Sequence, residues 1–203
     1  MKIDPKLTVN LGNEAFSETP FPDSVDDAVL WRRFKSGSES AFIEIYRKFF
    51  DGLFVYGCQF TKREELVEDA VQDLFLDLRR RREKLGDTDN IRFYLFVSLK
   101  RRLVRELSKW YNRWEGFSGE IVFQASLPHE QFLIQQQLDE QTAKNLSKAV
   151  SRLPAKKREI LYYFYYENLT YEQIREIMDF RKVKSVRNLL YETIGILRST
   201  FPK

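Results

Sequence analysis

Apolar residues recur along most of the chain at three- and four-residue spacing, the period of a helix that buries one face. From residue 26, DDAVLWRRFKSGSESAFIEIYRKFFDGLFVYGCQF predicts a short helix, a break at Gly37 and a long helix capped by Ser38. Ala41, Phe42, Ile45, Tyr46, Phe49, Leu53 and Tyr56 form the inner face of that long helix. Over 64–82, Val67, Ala70, Val71, Leu74 and Leu78 make a core stripe and turn Glu68, Asp69, Gln72, Phe75 and Arg79 onto another face. A polar loop follows at 84–90, where Asp89 or Asn90 can cap the next helix. In that helix Ile91, Leu95, Leu99, Leu103, Leu107 and Trp110 point inward, and Tyr94, Arg101 and Arg105 point outward along one line.

The period then fails. Gly116, Ser118, Gly119, Ser126 and Pro128 interrupt a brief IVF run, which marks 114–129 as a linker. Periodicity resumes from about 130 to 153 with Leu138, Ala143, Leu146 and Val150, and Pro154 suits the start of a further helix that turns Ile160, Leu161 and Phe164 inward. Most of the crowded rings of ILYYFYYENL are expected in a core, the rest on the surface. Thr170 and Gln173 form a capping-box pair ahead of Ile174, Ile177 and Met178, and 179–182 makes a turn. The last helix buries Val186, Leu190, Ile194 and Leu197 and leaves Lys184, Ser185, Arg187, Asn188 and Tyr191 outward. The expected fold is all-α: two small helical domains joined by a linker, the C-terminal one a helix-turn-helix. Residues 1–25, with three of the six prolines and no helical period, read as a poorly ordered leader; 26–113 form the first domain and 130–203 the second.

Composition narrows the chemistry. A length of 203 residues at 43% apolar content fits two small domains. No apolar run approaches the roughly 20 residues needed to cross a bilayer, and the N-terminus lacks the layout of a signal peptide, so a cytoplasmic chain without stable membrane insertion is expected. Cys58 is the single cysteine and His129 the single histidine, which excludes an internal disulfide, Cys-cluster and His-based metal sites and the usual triads. Cys58 reads as a small buried apolar residue. The paired acids Asp87 and Asp89 are better explained by capping or turn formation than by a metal. No metal, cofactor or catalytic residue is expected, and the chain reads as a binding protein, not an enzyme.

Charge distribution says more than the net +4. The first thirty residues hold six acids against two lysines; every charged residue of 64–77 is acidic; and 79–113 hold twelve Lys/Arg against four acids. Adjoining surfaces of opposite sign suit different partners. A ring in line with guanidinium groups, as in Tyr94, Arg101 and Arg105, suits unpaired bases and their phosphates. Lys184 and Arg187 are guanine-reading types and Asn188 an adenine-reading type, while Ser185 and Tyr191 serve bases or phosphates. Phe75, placed beside Gln72 and Glu68, fits a protein interface. The leader reads as a solvated tail; the alternative is an acidic arm that folds back over a basic surface.

The run EDAVQDLFLDL followed by NIRFYLFVSLKRRLVREL resembles the core-binding and promoter-opening portion of a bacterial RNA polymerase sigma factor of the sigma-70 family, extracytoplasmic-function (ECF) type, and the helix-turn-helix supports the same resemblance. YLFVSLKRRLVREL is close to forms common in Bacteroidetes. The resemblance spans most of the chain after residue 25. It implies a transcription initiation factor whose Glu68, Asp69, Gln72, Asp73, Phe75 and Arg79 contact the clamp of the largest subunit of core RNA polymerase. It implies capture of the melted minus-ten strand of promoter DNA by Asn90, Arg92, Phe93 and Tyr94, with Lys100, Arg101 and Arg105 on phosphates. Lys184, Ser185, Arg187, Asn188 and Tyr191 would read the minus-35 duplex, exposed rings of ILYYFYYENL would touch the polymerase flap, and the linker would run through the polymerase. An anti-sigma factor, often membrane-tethered, is the expected inhibitor. The chain departs from the family pattern at Asp179, where glycine is usual, in a turn one residue longer, and in lacking a Ser or Asp cap on the last helix unless Ser185 serves. The alternative function is a free-standing helix-turn-helix regulator that binds duplex DNA without polymerase.

Overall fold

A computed structural model describes residues 26–114, 123–124 and 140–200, and every regular element among them is helical. The leader, most of the linker and 130–139 lie outside the described residues. In the first domain α1 is Asp27–Lys35, α2 Glu39–Gly57, α3 Glu64–Arg81 with a 3-10 turn at Arg82–Lys84, and α4 Ile91–Trp114. In the second, α5 is Glu140–Ser151, α6 Ala155–Leu161 running into a π-helical turn at Tyr162–Tyr166, α7 Tyr171–Ile177 and α8 Val183–Thr200.

Local chemistry sets these boundaries. Gly37, at φ +99°, takes the left-handed conformation that breaks α1 from α2. The Ser38 hydroxyl then accepts the Ala41 N–H at 3.3 Å as the N-cap of α2. At the start of α4, Asn90 Oδ1 accepts the Phe93 N–H at 2.8 Å, and Asp27 Oδ2 accepts the Ile91 N–H at 2.9 Å, tying α1 to this helix end. The Thr170–Gln173 capping box is complete.

Leu30, Trp31, Ile45, Leu53, Tyr56, Val67, Val71 and Leu99 fill the core of α1–α4. The close approach of α2 to α3 requires Gly57, because a Cβ there would stand 2.4 Å from Val67 Cγ1. Val150, Leu153, Ile160, Leu161, Ile174, Ile177, Val186 and Leu190 build the core of the second domain. Trp110, expected inward, lies outside the residues whose side chains are described.

The two domains touch. Tyr56 from α2 and Tyr163 from the π turn are both buried and share a hydrogen bond of 2.6 Å between their hydroxyls. Phe123 is 1% exposed and packs between Phe60 and Tyr162, with ring centroids at 5.1 and 5.4 Å.

Candidate nucleic-acid interface

On α3, Glu68, Asp69, Gln72, Asp73 and Arg79 are exposed, as the helical period expects. Gln72 Nε2 donates to Glu68 Oε1 at 3.1 Å, and Arg79 makes two hydrogen bonds to the Glu39 carboxylate at 3.0 and 3.2 Å. Phe75 corrects the expectation: it is 2% exposed, packed against Tyr46 at 4.8 Å and Phe42 at 6.4 Å between centroids. The buried stripe is Val67–Val71–Leu74–Phe75–Leu78, wide enough to take the position one residue after Leu74. Leu76 is the apolar side chain this helix exposes, at 48%, and sequence reading missed it. The signal was available, since Leu76 falls outside the 67–71–74–78 series.

The seven residues of α4 and its cap that were expected to meet single-stranded DNA fall into three groups. Arg101 and Arg105 are exposed, the latter with Nε donating to Glu106 at 3.3 Å. Asn90, Phe93 and Tyr94 lie near the N-terminus and are half-buried. The amide of Asn90 serves as the helix cap, and Tyr94 packs on Trp31 with centroids 5.1 Å apart, so its ring is less outward than the period suggests. Arg92 and Lys100 face the second domain. Arg92 pairs with the Glu167 carboxylate and lies 5.3 Å from the Phe96 ring centre. Lys100 Nζ donates to Glu159 Oε1 at 2.5 Å and to the Ile177 carbonyl at 2.8 Å. Neighbouring Arg102 turns the other way, to Asp73 at 3.1 Å and to Asp77.

The residues expected to read duplex DNA behave differently. Lys184, Ser185, Arg187, Asn188 and Tyr191 are all exposed on α8, with Tyr191 at 70%. Val186 and Leu190 anchor the opposite face. Arg187 sits 5.1 Å from the ring centre of Tyr171 at the start of α7, which joins the two helices of the motif. Asp179 takes the left-handed conformation at φ +55°, the role glycine has in the resembled pattern; Asp is one of the side chains that tolerates it. Because α8 begins at Val183, Ser185 lies inside the first turn, its N–H donating to the Lys182 carbonyl at 3.0 Å, and does not cap the helix.

Carboxylates and phenols are buried together where the domains meet. Burial pushes the Glu167 carboxyl above the ordinary range, against the opposing pull of Arg92 and of a hydrogen bond from Tyr162. Burial likewise raises the Tyr56, Tyr162 and Tyr163 phenols, with Glu159 and Glu167 adding to it. The Tyr163 hydroxyl donates to Glu159 at 3.0 Å, so Tyr56, Tyr163, Glu159 and Lys100 form one continuous network across the domain boundary. Cys58 is half-buried, its thiol raised by burial and then by Glu64. Among the described residues no group of three or more His, Cys, Asp or Glu side chains could hold a metal ion.

No protein-family model matches the chain, and no curated protein does. Solved structures do. CnrH in complex with the cytosolic domain of CnrY superposes with a TM-score of 0.56 at 16% identity, over 86% of this chain and 96% of that one. The sigma factor RpoE of Bartonella quintana, in complex with the anti-sigma factor NepR, superposes with a TM-score of 0.54 at 16% identity, over 78% of this chain and 95% of that one. The all-helical fold, with its two domains and helix-turn-helix, is therefore shared with a sigma factor.

Proposed function

We propose that the chain is a transcription initiation factor of the extracytoplasmic-function sigma type. It binds core RNA polymerase through the acidic face of α3, reads the minus-35 duplex with α8 and holds the melted minus-ten strand with α4. The observation that carries this reading is a fold shared with a sigma factor over nearly the whole of that protein, 95% of its length, and so over both domains. The exposed chemistry supports it: acids and Leu76 on α3, Arg101 and Arg105 on α4, and Lys184, Arg187 and Asn188 on α8. Its mechanism is assembly, with no covalent step. Because RpoE was solved with an anti-sigma factor, a protein inhibitor of that kind is the further partner proposed for this chain. The place of action is the cytoplasm, alongside polymerase; among the described residues no helix is long and apolar enough to cross a membrane.

The test is initiation reconstituted from purified cognate core polymerase, this chain and a randomised promoter pool. Recovery of transcripts whose templates share two spaced motifs supports the reading; a folded chain that directs no initiation on any template rejects it. The free exposure of α8 also fits a regulator that binds duplex DNA alone. Tight, sequence-specific duplex binding without any effect on core polymerase would favour that second reading.

A further inference from the structure

The arginines of this chain are held in two ways. Arg79, Arg92 and Arg102 spend guanidinium N–H groups on carboxylates: Glu39, Glu167 and the Asp73–Asp77 pair. Arg187 on α8 has no carboxylate partner among the described residues, and its guanidinium carbon lies over the Tyr171 ring, 5.1 Å from the centroid. A cation over a ring face is held by the ring's quadrupole and not by a lone-pair acceptor. The side chain is thereby restrained while its fork of five N–H donors stays available.

The ring beneath Arg187 is itself fixed. Tyr171 is the first residue of α7, set directly after Thr170, whose capping box with Gln173 closes through hydrogen bonds of 2.8 and 3.3 Å. Its half-buried ring stacks on Phe164 of the π turn, with centroids 5.5 Å apart and planes at 23°. Phe164 in turn meets the Tyr165 ring edge-on at 5.0 Å. On the other side of the contact, buried Val186 and Leu190 anchor α8, so Arg187 leaves its helix from a fixed position. Backbone capping and ring packing thus bring one tyrosine and one arginine from the two helices of the motif into a set relation.

A guanidinium reads guanine in the major groove by presenting two N–H groups to O6 and N7 at once. A free arginine must give up rotamer freedom to do so, and restraint in advance removes part of that loss. We infer that Tyr171 is a positioning residue for duplex recognition: by holding the Arg187 guanidinium over its ring, it pre-organises that side chain to read a guanine and so sets base preference at one position. This rests on the reading of α8 as the duplex-reading helix. It adds that part of the specificity resides in the helix before it, on a side chain that need not touch a base.

The experiment compares the full chain with its Tyr171→Leu, Tyr171→Phe and Arg187→Lys variants. Nitrogen-15 relaxation at the arginine Nε–H groups of the free chain reports side-chain order, with Arg181, exposed in the turn before α8, as the internal reference. Sequencing of the duplexes that each chain retains from a randomised pool, over a range of salt, reports base preference. In the parent chain Arg187 should be more ordered than Arg181, a comparison that needs no variant. Tyr171→Leu should bring Arg187 down to the Arg181 level, and Tyr171→Phe, which keeps the ring, should not. Tyr171→Leu should also lower the preference for guanine at one position about fivefold, the size expected when one rotamer-rich side chain must be ordered on binding. Its salt slope should not change, because no charge is lost, and Tyr171→Phe should retain the preference. Arg187→Lys keeps the charge but not the fork and should lose the preference. The inference is overturned by an Arg187 no more ordered than Arg181 in the parent. It is overturned equally by a Tyr171→Leu chain of native helix content that keeps the guanine preference Arg187→Lys loses, or that weakens binding uniformly across sequences. Retention of the preference in Arg187→Lys, or a parent chain that selects no duplex, rejects the reading of α8 itself and the inference with it.

Discussion

The two basic helices α4 and α8 carry similar side chains in opposite circumstances. Arg92 and Lys100 on α4 meet carboxylates of the second domain, whereas Lys184 and Arg187 on α8 are exposed, Arg187 lying against the Tyr171 ring of its own domain. The difference does not arise within the helices, since both are amphipathic and both are buried along a regular stripe. It arises from what packs against their flanks. Cationic side chains at equivalent helical positions can be a docking contact on one helix and a free recognition surface on the other.

Substitutions sharpen this contrast, beginning with the largest effect. Arg92→Ala leaves the buried Glu167 carboxylate without its cation, and removing one partner of a buried pair destabilises by about 3–5 kcal/mol. Arg187→Ala on α8 removes only an exposed contact with the Tyr171 ring and should cost about 0.5–1 kcal/mol. Chemical unfolding of the full chain measures both, and equal losses would erase the distinction. Next in size is duplex recognition. Arg187→Ala should weaken binding to a selected duplex by about 1–3 kcal/mol and relax specificity at one position. A uniform loss across all sequences would instead make Arg187 a phosphate contact.

A smaller effect comes from the phenols at the boundary. Tyr56→Phe removes the shared hydroxyl bond and should cost about 0.5–1.5 kcal/mol, because Tyr163 keeps Glu159 as a partner. Burial raises the folded pKa of Tyr56, Tyr162 and Tyr163 above the ordinary value, in surroundings that also hold Glu159, Glu167, Arg92 and Lys100. The sign follows directly: their contribution is complete below about pH 10 and is lost as pH rises toward the folded values. Each tyrosine that ionises on unfolding steepens that loss by about 1.4 kcal/mol per pH unit. Stability above pH 10 should therefore fall less steeply in the Tyr56→Phe/Tyr163→Phe variant than in the parent chain, as chemical unfolding across pH will show. The smallest effect belongs to α3. Leu76→Ala should leave stability within about 0.5 kcal/mol yet weaken co-elution with core polymerase, whereas Phe75→Ala should destabilise the fold by about 3–5 kcal/mol.

Much of this architecture is legible in the sequence because it depends on local chemistry. Ser38, Asn90 and the Thr170–Gln173 pair cap the helices they precede, and Gly37 breaks the chain where expected. The face of α8 is also legible, because Val186 and Leu190 define its opposite side and nothing else covers it. Phe75 was misplaced because a stripe that packs against two neighbouring helices is wider than a single line of residues. Tyr94 was placed too far outward because Trp31, from a different helix, reaches over to meet it. The domain contact was not legible at all. Tyr56 and Tyr163 lie 107 residues apart and the π turn shifts the register of the rings in between, so helical periodicity carries no record of their meeting. The rings of ILYYFYYENL that sequence reading divided between core and surface include Tyr162 and Tyr163, which are buried between domains.

The contrast between the two helices is tested most directly by the amine-acetylation rates of Lys100 and Lys184 in the free, folded chain, resolved by mass spectrometry. Lys100 is held by Glu159 and the Ile177 carbonyl with little exposure, and Lys184 is exposed. Lys100 should react many times more slowly than Lys184 and speed up in the Phe123→Ala variant while Lys184 does not change. Equal rates for the two lysines in the parent chain would contradict the account.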